Sequence, residues 1–201
     1  DRLGVVFDHV TGESFYEDRM PGVVAELKAK GLLEESEGAL VVRVDRPDDE
    51  KEVPPCLIVK SDGATLYATR DLAAAEYRRV TFRFDRALYV VDVGQSLHFE
   101  QLKRVLLRAG HPWAETMRHV PFGVLLIGGT RAKTRTGKVV LLADALDEAV
   151  ERVEGVIREK NPELADPAAV AKAVGVGAVV FSDLKNRRIN DIHLDLESVL
   201  S

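Results

Sequence analysis

The stretch from Ala87 to Gly110 constrains the fold most. Ala87-Leu88-Tyr89-Val90-Val91-Asp92-Val93 is a nearly continuous apolar run, Gly94-Gln95-Ser96 follows at once, and helical patterning then continues to Ala109 before Gly110. A run apolar on both pleat faces belongs in a parallel strand covered on both sides. Ser96 reads as the cap of the next helix and Gly110 as its stop. A second apolar run spans residues 119–127, broken by Pro121 and Gly123 and turned by Gly128-Gly129. Strand, helix, strand, helix is the order of an α/β chain on a parallel sheet.

The remaining segments fit that class. Residues 21–30 read as a helix, with Pro21 at its start, Val23, Val24 and Leu27 on one face, and Gly31 as its stop. Residues 39–44 and 56–60 are β-rich and predict a small hairpin, joined by a charged loop over 45–55 that reads as solvated surface. Leu66-Tyr67-Ala68 reads as a short strand, and Asp71 as the opening of a helix to about Arg79. Leu146, Ala149, Val153 and Val156 recur at helical spacing within 144–160, and Asn161-Pro162 ends that helix. A long apolar helix over 168–186 points to packing, with Gly175 and Gly177 as sites of close approach.

A chain of 201 residues suits one domain, or one with a small insertion. It can bury roughly 70% of its unfolded surface. A net charge of −5 gives no basic field, so nucleic-acid contact must be local or lie outside this chain. Cys56 is the only cysteine, which excludes an internal disulfide and fits a small core residue. With no leader and no uninterrupted 18-residue apolar run read from the sequence, the expectation is a cytoplasmic protein with no membrane partner. The chain starts at Asp1, so a fragment is expected.

Three polar clusters carry chemistry. In the first, Tyr67 and Asp71 are four residues apart. An aspartate at a helix start is ordinarily a cap. The competing reading is a carboxylate kept for a ligand, with Arg70 either paired to it or turned to solvent. In the second, Gly94 allows close backbone approach, while Gln95 either caps the helix or faces a ligand. His98 reads as a structural hydrogen-bonder. It has no cysteine or aspartate at metal-ligand spacing, so no metal site is expected. Together Tyr67, Asp71 and Gln95 offer an aromatic face, a fixed negative charge and a carboxamide, a set suited to a guanidinium. The third cluster, residues 128–138, places four cations and three threonines between glycines. It is either a solvated basic turn or a polyphosphate loop. It is not a Walker A loop.

On Ser61–Ala73, Val91–Leu102, His119–Gly123 and Lys133-Thr134-Arg135-Thr136-Gly137, in that order, the chain resembles class I arginyl-tRNA synthetase, in the second half of its catalytic domain. Asp8 to Tyr16, Leu141 to Ala149 and Gly177-Ala178-Val179 also look like that family. The resemblance implies a Rossmann-type parallel sheet with a β-hairpin insertion at 38–60 and C-terminal helices. Residues 165–201 would then lead toward a tRNA anticodon-binding domain, and 1–201 would be a partial catalytic domain. It further implies L-arginine, ATP with Mg2+, and tRNA(Arg) as substrates and partners. By position, Tyr67, Asp71 and Gln95 match the arginine contacts. Gly94, His98, His119, Val120, Phe122, Lys133, Thr134 and Arg135 match the ATP side, and Lys133 and Arg135 the catalytic loop.

Two features depart from the family. The lysine usual three residues before the Lys-Thr-Arg run is Thr130 here, followed by Arg131. The class I His-x-Gly-His element is absent, since the histidines are His9, His98, His111, His119 and His193. The resemblance therefore implies an arginine–tRNA ligase as the parent protein and an isolated chain without activity. Two alternatives stand beside it: a nucleotidylyltransferase-type enzyme of the same superfold, and an inactive arginine- or ATP-binding module.

Overall fold

A computed structural model of the chain describes residues 2–127, 130–131 and 141–194. Two compact units divide it, one of residues 8–121 and the other of residues 1–7 with 122–201.

In the 8–121 unit a 3-10 turn, Glu13–Arg19, leads into α1 (Met20–Ala29). Pro21 lies in the first turn of α1, and Gly31 follows its end at φ +64°. Strands β1 (Glu34–Ser36), β2 (Ala39–Val42) and β3 (Cys56–Val59) form an antiparallel sheet in that order. The β2–β3 pairing is the one the two β-rich runs predict, and β1 adds a third strand. Next come α2 (Tyr67–Phe82), β4 (Ala87–Asp92), α3 (Ser96–Arg108) and β5 (Met117–Phe122), with β4 hydrogen-bonded to β5. The core joins Val23 and Leu27 of α1, Ile58 of β3, Leu72 of α2, and Leu102, Val105 and Leu106 of α3. Each leucine buried there contributes roughly 1.5–3 kcal/mol of transfer free energy. Cys56 is buried as expected, and desolvation pushes its thiol up to about 12, so it is inert.

The fold departs from the sequence expectations at four places. First, Leu66-Tyr67-Ala68 is not a strand. The Asp62 Oδ1 accepts from the Ala64 N–H at 2.9 Å, Gly63 takes φ +83°, and the chain has reversed by the single bridge between Val59 and Thr65. Helix then begins at Tyr67, because Ala68, Leu72 and Ala75 bury one face and the alanine-rich sequence favours helix. Asp71 therefore lies in the second turn and is not a cap. Second, Ala87–Asp92 is not covered on both faces, since Leu88 and Val90 are 60% and 61% exposed. Third, Ser96 is the first helical residue, and Gln95 takes the cap position without a side-chain bond. Fourth, Asp49 does not sit in solvent with its exposed neighbours Asp48, Glu50 and Lys51. Arg104 grips it with two bonds, Nη1 to Oδ2 at 2.5 Å and Nη2 to Oδ1 at 2.8 Å, and Gln101 donates to the Pro54 carbonyl at 2.8 Å. The 45–55 loop is thus pinned to α3.

In the second unit, β6 (Leu125–Ile127) pairs antiparallel with β7 (Thr130–Arg131) and parallel with β8 (Ile192–Leu194). A Cβ on Gly123 would lie 2.1 Å from the Asn190 carbonyl oxygen, which explains the glycine before β6. Helices α4 (Leu142–Lys160) and α5 (Pro167–Leu184) pack together. A Cβ on Gly175 would stand 2.9 Å from the Val150 backbone, so this glycine permits the close approach expected of it. Beyond that seam, Val174, Phe181 and Leu184 of α5 are exposed. Among the described residues α5 alone has the length and composition to cross a membrane, although it contains Lys172 and Asp183. The fold class is α/β, with parallel pairing at β6–β8.

Candidate functional site

Helical geometry puts Tyr67 and Asp71 one turn apart on one face of α2. That helix is anchored from below by Thr69, whose hydroxyl donates to the Ile58 carbonyl of β3. Tyr67 is 61% exposed, and its ring lies 5.0 Å from the His98 imidazole. The Asp71 carboxylate is partly open to solvent, and its Oδ2 is 2.7 Å from His98 Nε2. Arg70 does not pair with Asp71. Its guanidinium turns to the exposed Glu13 carboxylate.

The turn into α3 is held by Asp92, whose Oδ1 accepts from the Gly94 N–H at 2.7 Å. A Cβ on Gly94 would stand 2.7 Å from that same oxygen, so the turn needs glycine. The Ser96 hydroxyl donates to the Val93 carbonyl at 2.6 Å. Gln95 is exposed on this turn, three residues ahead of His98.

His98 opens an aromatic series. Phe99 lies edge-on to it at 5.3 Å, and His119 stacks on Phe99 at 4.9 Å. His119 Nε2 donates to the Val91 carbonyl at 3.1 Å, tying β5 to β4. Val120 is half-buried and Phe122, at the end of β5, is exposed. A cleft of about 450 Å³ is lined by Tyr89, Phe99, Lys103, Arg118 and His119 among others, and does not reach Tyr67, Asp71 or Gln95. Tyr67, Asp71 and His98 are thus brought together, and His119 joins them through Phe99. Lys133, Thr134 and Arg135 lie outside the described residues.

Sequence reasoning missed the contact of His98 with Asp71, which spans 27 residues. It also missed a second grouping. Glu26, Glu76 and His111 hold three potential metal donors within 4.8 Å of one another, where no metal site was expected. Lys30 Nζ already bonds Glu26 Oε1 at 2.5 Å and His111 Nε2 bonds the same oxygen at 2.9 Å, so this is an ion-pair network within the fold. Burial pushes the Glu76 carboxyl up to about 7, and the neighbouring Glu26 adds to that.

The profile of the family described as tRNA synthetases class I (R), catalytic domain, matches residues 1–196. An arginine–tRNA ligase of an Exiguobacterium species is 54% identical over 200 residues, covering 100% of this chain and 35% of that protein. Arginine–tRNA ligase 1 of Bacillus cereus is 52% identical over 198 residues, covering 98% of this chain and 34% of that protein. The arginyl-tRNA synthetase structure from Plasmodium falciparum superposes with a TM-score of 0.80 at 25% identity, covering 100% of this chain and 33% of that one. The Thermus thermophilus arginyl-tRNA synthetase gives 0.82 at 22% identity, covering 100% and 40%, and bears on the fold alone. The chain spans about a third of the length of the curated relatives it matches.

Proposed function

Because the chain belongs to the class I arginyl-tRNA synthetase catalytic-domain family, we propose that it is part of a cytoplasmic arginine–tRNA ligase. The parent enzyme activates L-arginine with ATP and passes the arginyl group to tRNA(Arg). In this reading residues 1–201 are one part of the catalytic domain, 38–60 form a hairpin insertion, and 165–201 lead toward the anticodon-binding domain.

The observation that carries the reading is Asp71: a partly exposed carboxylate with one oxygen held by His98, beside the open ring of Tyr67. A guanidinium presents a planar fork of donors that matches a fixed carboxylate. Each charge-assisted bond of this kind is worth roughly 1.5–3 kcal/mol. Tyr67 supplies a ring face to the guanidinium plane, and Gln95 a further polar contact. The residues whose positions match the nucleotide contacts of the family are Gly94, His98, His119, Val120, Phe122, Lys133, Thr134 and Arg135. Mg2+ would accompany the nucleotide and offset phosphate charge, since this ion prefers phosphates and water to an all-protein cage.

The reaction needs no covalent enzyme intermediate. The substrate carboxylate oxygen forms a bond to the α-phosphorus, the α–β phosphoanhydride bond breaks, and pyrophosphate leaves with the electron pair. Positioning and charge stabilisation do the work, and Lys133 and Arg135 offset charge on the departing pyrophosphate. The ester to the tRNA 3′ end then forms with release of AMP. These 201 residues lack His-x-Gly-His, so the isolated chain is expected to show no ATP–pyrophosphate exchange.

The test is steady-state exchange in the full-length enzyme. Asp71→Asn is expected to raise the KM for arginine by about 100-fold, the loss of one charged pairing, and to change the KM for ATP little. Equal effects on both substrates remove Asp71 from the arginine site.

A further inference from the structure

His98 is 9% exposed, yet only one of its ring nitrogens has a partner. Nε2 lies 2.7 Å from Asp71 Oδ2, while Nδ1 is buried without a hydrogen bond. An ionised carboxylate only accepts, so Nε2 carries the proton and donates. A second proton on Nδ1 would leave a buried donor unpaired, which costs free energy. The geometry therefore makes Nε2 the donor that orients Asp71.

The same ring touches both arms of the candidate arginine site. Its face lies 5.0 Å from the Tyr67 ring, tilted by 56°, and Phe99 backs it at 5.3 Å. Asp71 comes from the second turn of α2 and, among the described residues, has no hydrogen-bond partner besides His98 to fix its carboxylate plane. A guanidinium fork needs that plane fixed, whereas an ammonium ion, a point charge, does not.

We propose that His98 is the positioning residue for Asp71, turning its carboxylate and the Tyr67 ring into one preorganised guanidinium cradle and so setting arginine against lysine. This rests on the reading of Asp71 as the arginine carboxylate. It gives the His98 side chain a task on the amino-acid side, where position in the family implies the nucleotide side.

The experiment uses the full-length enzyme with two replacements. His98→Phe keeps an aromatic ring between Tyr67 and Phe99 and removes the donor. His98→Gln places an amide N–H near the position of Nε2. His98→Phe is expected to raise the KM for arginine about 10-fold, the cost of one lost orienting bond, well beyond any change in the KM for ATP, and to reduce discrimination against lysine. His98→Gln is expected to restore most of the arginine KM. In an Asp71→Asn background His98→Phe is expected to add little, because the two act as one unit. A rise in the KM for ATP alone, or an arginine KM unmoved by His98→Phe while Asp71→Asn still moves it, overturns the proposal and leaves the arginine reading standing. An arginine KM unmoved by Asp71→Asn as well overturns both.

Discussion

The 8–121 unit contains two histidine–carboxylate pairs of similar length, and they differ in what surrounds them. At His111 the Glu26 oxygen serves both Lys30 and the imidazole, and Glu76 closes the other side. The Glu26 charge there has its counterparts within the fold. At His98 the carboxylate of Asp71 has one histidine bond and, among the described residues, no Lys or Arg partner, and a substantial part of it faces solvent. Arg70, the nearest cation in sequence, is turned away to Glu13. A pair whose carboxylate is met by a cation supports the fold, and the open pair is the one proposed to take the substrate guanidinium. The comparison separates structure from site where residue type alone does not.

Substitution at the balanced pair should act on stability and not on substrate. Burial raises the Glu26 carboxyl, but the Lys30 bond and the His111 charge outweigh it and hold the group below its usual value. Glu26→Gln is expected to cost roughly 0.5–1 kcal/mol, the scale of partly exposed pairs. That lowers Tm by about 1–4 °C for a chain of this size in a thermal melt, and leaves the arginine KM of the full-length enzyme unchanged. A changed arginine KM would break the distinction between the two pairs.

A pH-dependent effect sharpens it. The Glu76 carboxyl is pushed up to about 7 by burial and by Glu26, against an ordinary value near 4.5. Folding thus favours its protonated form. The associated stability is fully present below about pH 4.5 and is lost as pH rises through about 7. Glu76→Gln is therefore expected to raise Tm at pH 8 relative to the parent chain and to leave it nearly unchanged at pH 5. An equal effect at both values would mean that Glu76 is not an uncompensated carboxylate.

Much of the architecture was legible because it is periodic or punctuated. Gly31 and Gly110 stop their helices at φ +64° and +84°, and α4 follows the spacing of Leu146 and Ala149. What escaped reading depends on contacts between distant elements. The start of α2 was misplaced because an Asx turn at Asp62 completes the reversal in fewer residues than a strand would need. Asp49 looked like one more loop charge until Arg104, 55 residues later, took both its oxygens. That grip and the Arg46 backbone hold the Asp49 carboxyl down at about 2. Likewise Tyr67 and Asp71 were legible as residues of interest through spacing and family resemblance. Their fixing by His98 was not, since nothing in local pattern links residue 71 to residue 98.

The most direct measurement is a calorimetric titration of L-arginine into the full-length enzyme without ATP, comparing the parent with Asp71→Asn and Glu26→Gln. The account predicts that Asp71→Asn raises the arginine Kd by about 100-fold while Glu26→Gln leaves it within error of the parent. An unchanged Kd in Asp71→Asn, or equal losses in both variants, would contradict it.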